Sequence, residues 1–258
     1  MLDVAWIKHE IHNRPIGHRI EYLPRVDSTN RWLRVLVQEG APVGTVAYTD
    51  FQTAGRGRSG RSWAAPDGTS ILHSLALPKF PGRPLDSVAI LALAIRSAVR
   101  SRFSLDAVLK WPNDVEIAGR KVCGILAETV AGSNQQIVIV GAGINCNFMP
   151  PAVGDCLGSA TSLQAELGKL IAREELAVAV LLAVNELFDV VQLDANVLFE
   201  QWRSGLTTLG REIVVTDAGG TWSGWAEDVN RDGSLVVRSR DDVQHAVYAA
   251  DVSVRVSQ

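Results

Sequence analysis

The chain has 258 residues, of which 47% are hydrophobic and 21% are charged. That length suits one large domain, or a large domain with a small one, and that composition excludes wholesale disorder. The 28 acidic residues outnumber the 25 basic ones, which argues against a general nucleic-acid-binding surface, so a negatively charged partner would have to bind locally.

The first secondary-structure signals lie between residues 20 and 40, because the first twenty residues have no clear hydrophobic period. Ile20 and Tyr22 alternate with Glu21 as in a strand. Asp27–Asn30, with the sequence DSTN, is suited to capping a helix that Gly40 would end. The apolar residues at helical spacing between them are Trp32, Leu33, Leu36 and Val37.

Strands and one strongly apolar helix are predicted next. Thr45–Gln52 and Ser70–Pro78 are rich in β-branched, aromatic and aliphatic residues and predict two strands. Leu85–Arg102 predicts an apolar helix. The segment 107–130 predicts a strand, a turn and a second strand. Gln135–Asn147 predicts a buried strand that runs into a turn of small residues.

The pattern changes near residue 205. Arg173–Gln192 and Asn196–Ser204 predict helices. Beyond Gly205, short alternating strands are separated by the turn sequences DAGG, NRDG and SRDD. A module of about fifty residues is too small for a β-sandwich and suits an SH3-like barrel. We therefore expect an α+β domain over residues 1–204 and a small β domain over residues 205–258.

The loop between the two strands that follow the first predicted helix is strongly positive. Its sequence, TAGRGRSGRSW over Thr53–Trp63, places Arg56, Arg58 and Arg61 among small residues. Arginine offers planar, multidentate donors that match phosphate and carboxylate oxygens, and glycine lets the backbone approach a ligand closely. The pattern favours a phosphate or carboxylate site. A solvated surface loop and an RNA-binding Arg/Gly segment are the alternatives.

Three further stretches carry candidate ligand contacts. Lys110 in KWPND has apolar neighbours, so its ammonium needs a negative partner, either a ligand anion or Asp114. The stretch GAGIN, residues 141–145, lacks the third glycine of a dinucleotide fingerprint. Its glycines would instead let a ligand lie against a strand end, where Asn145 could read an adenine edge. The hydroxyls of DSTN either cap the helix or bind a ligand carbonyl.

Several functional classes lack support in the sequence. The longest apolar runs, Leu176–Val184 and Val88–Ile95, fall short of the roughly 18 residues that a membrane span needs. No secretory signal, catalytic triad, Walker loop or metal-ligand spacing stands out. Cys123, Cys146 and Cys156 form no CxxC pair, which indicates a reducing cytoplasm.

The motifs DSTN, QTAGRGRSGRSW, KWPND, GRKVCGILAE and GAGIN occur in one order over Asp27–Asn147. With this combination the chain closely resembles the biotin protein ligase family. The resemblance implies an α+β fold, in which a class II synthetase-like catalytic domain has a mixed β-sheet with flanking helices and precedes a small SH3-like β-barrel. It implies activation of biotin by ATP and Mg²⁺ to biotinyl-5′-adenylate. It also implies transfer of biotin to a lysine of a biotin carboxyl carrier protein domain, as in acetyl-CoA carboxylase.

The resemblance also assigns roles to individual residues. The implied biotin contacts are Ser28, Thr29, Asn30, Gln52, Arg56, Gly57, Arg58, Lys110, Gly141 and Gly143. The implied ATP contacts are Arg56, Arg58, Arg61, Trp63 and Asn145. Among these residues, Arg56, Arg58 and Lys110 are expected to be catalytic, and the ligands of Mg²⁺ are unassigned.

Partners and alternatives follow from the same resemblance. About twenty residues precede the catalytic motifs, so we expect no DNA-binding domain and no repressor role. We expect a cytoplasmic monomer or weak homodimer without a membrane partner, and a loop that is mobile until ligand orders it. Cys123 replaces a small apolar residue, and no loss of activity is expected. Lipoate or octanoate transfer is the alternative among enzymes, and RNA binding is the alternative outside them.

Overall fold

The fold is built around a seven-stranded mixed sheet. The computed structural model describes residues 1–80, 83, 85–132, 135–150, 160–217, 219–248 and 251–254. The strands of the sheet are β1 (Arg19–Val26), β2 (Thr45–Gln52), β3 (Ser70–Pro78), β4 (Ala107–Lys110), β5 (Asp114–Ile117), β6 (Arg120–Ala131) and β7 (Gln136–Asn145). Their order is β1-β2-β3-β7-β6-β5-β4. β1 and β2 run parallel, and the other neighbours pair antiparallel.

Helices cover both faces of this sheet. In the described ranges they are α1 (Val4–Glu10), α2 (Thr29–Gln38), α3 (Asp86–Phe103), α4 (Leu163–Leu167), α5 (Arg173–Leu193) and α6 (Ala195–Ser204). Along β3, Leu75 and Leu77 belong to one hydrophobic cluster and Ala76 to another, as the two-residue period of a strand requires. α2 packs in the smaller cluster through Leu33 and Val37, whereas α3 and α5 supply the larger one.

A second, antiparallel sheet follows these helices. It consists of β8 (Arg211–Asp217), β9 (Gly220–Val229), β10 (Leu235–Ser239), β11 (Gln244–Val247) and β12 (Asp251–Val254), in the order β11-β10-β9-β8-β12. The chain that leads into it pairs with the outer edge of β4. Leu109 N donates to Gly205 O at 3.3 Å, and Thr207 N donates to Leu109 O at 2.9 Å. We propose the domain boundary between residues 204 and 205, in this connection.

The predicted fold class is confirmed in its mixed sheet, its flanking helices and its small C-terminal antiparallel sheet. The bounds of β2 and β3 agree with the sequence prediction. Four features differ from it. α1 and α4 were not predicted, the segment 107–130 contains three strands because a second turn separates β4 from β5, and GAGIN lies within β7 instead of in a turn.

α5 is the most apolar of the long helices. By length and composition alone it could cross a membrane, although 56% of the apolar window is buried inside the structure. Leu176, Val180, Leu181 and Val184 are all buried in the core cluster that α3 also enters. Packing within the fold therefore accounts for its apolar sequence.

Candidate active site

A cavity of about 390 Å³ opens where the start of α2, the Arg/Gly loop, the turn between β4 and β5 and the middle of β6 and β7 meet. Twelve of the thirteen residues that the sequence assigned to biotin or ATP line it. They are Ser28, Thr29, Asn30, Gln52, Arg56, Gly57, Arg58, Arg61, Trp63, Lys110, Gly141 and Gly143. The structure thus brings together residues that lie more than a hundred positions apart.

The floor of the cavity is polar and buried. Ser28 is the N-cap residue of α2, but its side chain makes no capping hydrogen bond, so helix capping does not account for this hydroxyl. Thr29 N donates to Gln52 Oε1 at 2.8 Å, and Thr29 Oγ1 lies 3.2 Å from the same oxygen. Ser74 Oγ, from β3, lies 2.8 Å from Thr29 Oγ1 and 2.6 Å from Asn30 Oδ1. These hydroxyl and amide groups can supply both donors and acceptors to a ligand.

Glycines in β6 and β7 make room for two of the lining side chains. A Cβ atom at Gly141 would lie 2.0 Å from Asn30 Oδ1, and one at Gly143 would lie 2.3 Å from Cε2 and Nε1 of Trp63. A Cβ atom at Gly124 would lie 2.9 Å from Trp63 Cζ3. The sequence predicted that the glycines of GAGIN let a ligand lie against a strand end; in the structure Gly141 and Gly143 line the cavity and also let Asn30 and Trp63 approach the strand closely.

The Arg/Gly loop folds back on itself over the cavity. Arg56 and Ser62 form an antiparallel bridge, Gly57 N donates to Arg61 O at 2.7 Å, and Trp63 N donates to Gly55 O at 2.9 Å. A single 3-10 turn, Arg58–Gly60, lies at its tip. This arrangement lets all three arginines of the loop line the cavity.

Lys110 has a different partner from the one that its sequence neighbours indicated. Lys110 Nζ pairs with Glu116 Oε1 at 2.8 Å, along the β4–β5 hairpin. Asp114, the expected alternative, pairs instead with Lys121 of β6 at 2.7 Å. Tertiary geometry explains this pairing, because Lys121 of β6 contacts Asp114 across the β5–β6 strand pair, whereas Lys110 contacts Glu116 along the β4–β5 hairpin.

Positive charge dominates the lining. Among the described residues that line the cavity, five side chains are cationic and one, that of Asp114, is a carboxylate; Glu128 and Glu116, outside the lining, pair with Arg56 and Lys110. The cations are Arg56, Arg58, Arg61, Lys110 and Lys121. Such a cavity attracts anions and can bring two of them together against their repulsion.

Sequence reasoning missed Lys121, Asn113 and Asp114 as lining residues. Lys121 Nζ lies 5.6 Å from the centroid of the Trp63 ring, and Arg58 Nη1 donates to Asn113 Oδ1 at 3.2 Å. Lys121 belongs to the motif GRKVCGILAE, and Asn113 and Asp114 belong to KWPND, so membership of a motif was the available signal. Their contacts depend on the register in which β5 pairs with β6, which shifts between Val115 and Glu116.

Asn145 is the predicted site residue that the structure does not bring to the cavity. It is buried in β7, where its Nδ2 donates to Thr161 O at 2.9 Å and its backbone pairs with Ser70. Trp63, the other predicted adenine contact, does line the cavity. Its Nε1 is buried and lacks a hydrogen-bond partner among the described residues.

The C-terminal part of the chain supports the turn that follows Lys110. Trp111 N donates to Thr208 Oγ1 at 3.1 Å, and Trp111 Nε1 donates to Gly233 O at 2.9 Å. Trp111 is itself buried, and Val252 of β12 lines the cavity. The second sheet therefore takes part in shaping the site.

The described cysteines are buried thiols outside the cavity lining, and Cys123 Sγ lies 3.7 Å from the backbone oxygen of Gly124, which does line it. Burial raises the pKa of Cys123 well above its usual range, so this thiol stays protonated at neutral pH. Burial also raises the pKa of Cys146. Cys156, which the sequence analysis grouped with them, lies outside the described residues.

Known proteins resemble this chain in both sequence and structure. Residues 22–145 match the biotin/lipoate A/B protein ligase family, and residues 208–255 match the biotin protein ligase C-terminal domain. The chain is 33% identical to the biotin–acetyl-CoA-carboxylase ligase of Mycobacterium tuberculosis, over 95% of this chain and 96% of that protein. It is 29% identical to the bifunctional ligase/repressor of Bacillus subtilis, over 98% of this chain and 79% of that protein. The biotin protein ligase of Aquifex aeolicus in complex with biotin and ATP aligns with a TM-score of 0.76 at 27% identity, over 93% of this chain and 99% of that chain.

Proposed function

This chain belongs to the biotin protein ligase family, and on that premise we propose that it activates biotin with ATP and transfers it to a carrier protein. The relative in Mycobacterium tuberculosis is named for acetyl-CoA carboxylase, so the proposed carrier is the biotin carboxyl carrier domain of such a carboxylase. One observation carries the proposal. Arg56, Arg58 and Lys110 meet at a cavity whose floor is polar and buried.

In the first step, a carboxylate oxygen of biotin attacks the α-phosphorus of ATP. The bond from this phosphorus to the bridging oxygen breaks, so that biotinyl-5′-adenylate and pyrophosphate form. Arg56, Arg58 and Lys110 offset the repulsion between the two anions and stabilise the charge that develops at phosphorus. The hydroxyls and amides at the start of α2, with Gln52, hold the polar ring of biotin.

In the second step, the ε-amine of the carrier lysine attacks the acyl carbon. The bond between this carbon and the phosphate oxygen breaks, AMP leaves, and the amine gives up a proton. Both nucleophiles come from the substrates, so the protein needs to supply none. Its contribution is orientation and positive charge.

Mg²⁺ bound to ATP would neutralise phosphate charge. Among the described residues, no cluster of three or more His, Cys, Asp or Glu side chains could form a metal site from protein alone. Of the lining residues that the structure describes, Asp114 is the one with a carboxylate. Since Mg²⁺ often combines one or two carboxylates with substrate phosphates and water, Asp114 fits this role.

The Arg/Gly loop acts as a cover over the adenylate in this proposal. Its glycines allow the backbone to open and close, and closure would keep water from the mixed anhydride. Trypsin should cut this loop more slowly when biotin and ATP are bound. Equal cutting rates with and without the substrates would contradict a closing loop.

We propose further that the protein works in the cytoplasm as a monomer or weak homodimer, without a DNA or membrane partner. The buried free thiols of Cys123 and Cys146 and the net charge of −3 support this proposal. Sedimentation at several concentrations, with and without biotin and ATP, measures the oligomeric state.

Transfer of labelled biotin to a carrier domain tests the function. The carrier should gain the mass of one biotin in the presence of Mg²⁺ and ATP, and excess lipoate should not compete. Arg31→Ala, on an exposed part of α2, is the matched control for variants of the cavity arginines. Lipoate transfer would show the alternative enzyme. Salt-sensitive oligonucleotide binding without pyrophosphate release would show the RNA-binding alternative.

A further inference from the structure

Glu128 is the acceptor at which three side chains beside the cavity meet. Its Oε2 accepts hydrogen bonds from Asn30 Nδ2 at 3.0 Å and from Arg56 Nη2 at 2.9 Å. Its Oε1 accepts from Arg34 Nη2 at 3.0 Å. Glu128 lies on β6, and its side chain is 19% exposed. Two guanidinium groups and one amide therefore converge on a largely buried carboxylate that itself lies outside the cavity lining.

This carboxylate connects the Arg/Gly loop to the cavity floor. Asn30 carries the connection onward, since its Oδ1 lies 2.6 Å from Ser74 Oγ. Ser74 Oγ contacts Thr29 Oγ1, which in turn contacts Gln52 Oε1. One chain of polar contacts thus links Glu128 to the groups proposed to hold biotin.

Resting on the proposed function, we infer that Glu128 is a positioning residue that holds Arg56 in place over the substrate pocket. A guanidinium has five N–H donors, so Arg56 can donate to Glu128 through Nη2 and keep other donors for a substrate carboxylate or phosphate. Charge-assisted hydrogen bonds are roughly twice as strong as neutral ones. The loop's own hydrogen bonds hold the backbone around Arg56, and Glu128 restrains the long side chain that extends from it.

The two arginines on Glu128 differ in how much they depend on it. Arg34 is part of α2, so its backbone is fixed by the helix whether or not the carboxylate is present. Arg56 belongs to the Arg/Gly loop and not to a helix, and since the two side chains are similarly exposed, 39% for Arg34 and 43% for Arg56, the difference lies in the element that carries each of them. Loss of the charge on Glu128 should therefore disturb Arg56 more than Arg34, whereas a purely structural role would make the two partners equivalent.

Four variants of the full chain test this inference: Glu128→Gln, Arg34→Gln, Arg56→Gln and the double variant of Glu128 and Arg56. Glu128→Gln keeps the size and removes the charge. It should lower kcat for biotin-dependent pyrophosphate release by about tenfold, the scale for a hydrogen bond to a charged group, with a smaller change in KM for biotin. Arg34→Gln should change kcat by less than about twofold. Near-native melting temperatures establish that the variants fold.

The double variant decides between positioning and independent action. If Glu128 acts through Arg56, Glu128→Gln has no further effect in the Arg56→Gln background. Multiplied effects, or equal losses in Glu128→Gln and Arg34→Gln, would overturn the inference.

Limited trypsin cleavage of ligand-free protein tests the contact apart from the reaction. Glu128→Gln and Arg56→Gln should both speed trypsin cleavage after Arg58 and Arg61. The Arg56 variant tests the same contact if the Glu128 variant does not fold. Faster cutting in a protein without biotin-dependent pyrophosphate release would refute the proposed function alone. Unchanged cutting in both variants of a protein that does biotinylate its carrier would refute the role of Glu128 alone.

Discussion

Substitution of Gly143 by alanine adds one methyl group where the structure has no space for it. The new Cβ atom would lie 2.3 Å from Cε2 and Nε1 of Trp63 and 2.7 Å from Cζ2. Ordinary contact begins near 3.4 Å, so the indole or the strand must move by about 1 Å. Gly143 lies inside β7 and is not among the glycines with positive φ, so alanine fits the backbone and the effect is steric.

The expected cost of this overpacking is about 1–3 kcal/mol of unfolding free energy, measured by urea denaturation. Displacement of Trp63 should also weaken ATP binding by about tenfold, on the scale of one lost stacking contact with a base. The same substitution in a Trp63→Ala background should cost less than about 0.5 kcal/mol, because the clashing ring is absent. Equal destabilisation in both backgrounds would refute the packing of Trp63 on Gly143.

Three further predictions concern charge, stacking and pH. Arg58→Ala and Lys110→Ala should each lower biotin-dependent pyrophosphate release at least about a hundredfold, and a near-normal rate would remove that residue from the mechanism. Trp63→Ala should weaken ATP more than biotin in separate calorimetric titrations, and the reverse order would contradict an adenine contact. Burial lowers the pKa of His73 from 6.5 to about 4. Between these two pH values the unfolded chain binds a proton on this side chain and the folded protein does not. Stability should therefore fall by about 3 kcal/mol as pH decreases from 6.5 toward 4, and urea denaturation of His73→Phe should lack that part of the loss.

Local sequence patterns predicted the elements whose burial is regular. β3 is buried along almost its whole length, and β2 along its first six residues, so both appear as continuous stretches of strand-forming residues with clear ends. α1 escaped prediction because Ile7 is its one buried residue, which leaves no repeating apolar face to detect. Two strands were predicted where the structure has β4, β5 and β6, because β4 and β5 are only four residues long and a turn separates them.

The site could be predicted as a set of residues but not as a set of contacts. The resemblance to the family assigned the Arg/Gly loop and Lys110 to one site, and both line the same cavity. The pairing of Lys110 with Glu116 depends on hairpin geometry, and the role of Lys121 depends on the register of β6. Asn145 was assigned to adenine from its place after the glycines. In the structure its side-chain amide instead donates a hydrogen bond to the backbone oxygen of Thr161.

The most direct test of the account is a crystal structure of this protein with biotinyl-5′-adenylate bound. The account predicts that the phosphate of the adenylate lies within hydrogen-bonding distance of Arg56, Arg58 and Lys110, with the biotin ring against the start of α2. An adenylate bound away from these three side chains would contradict it.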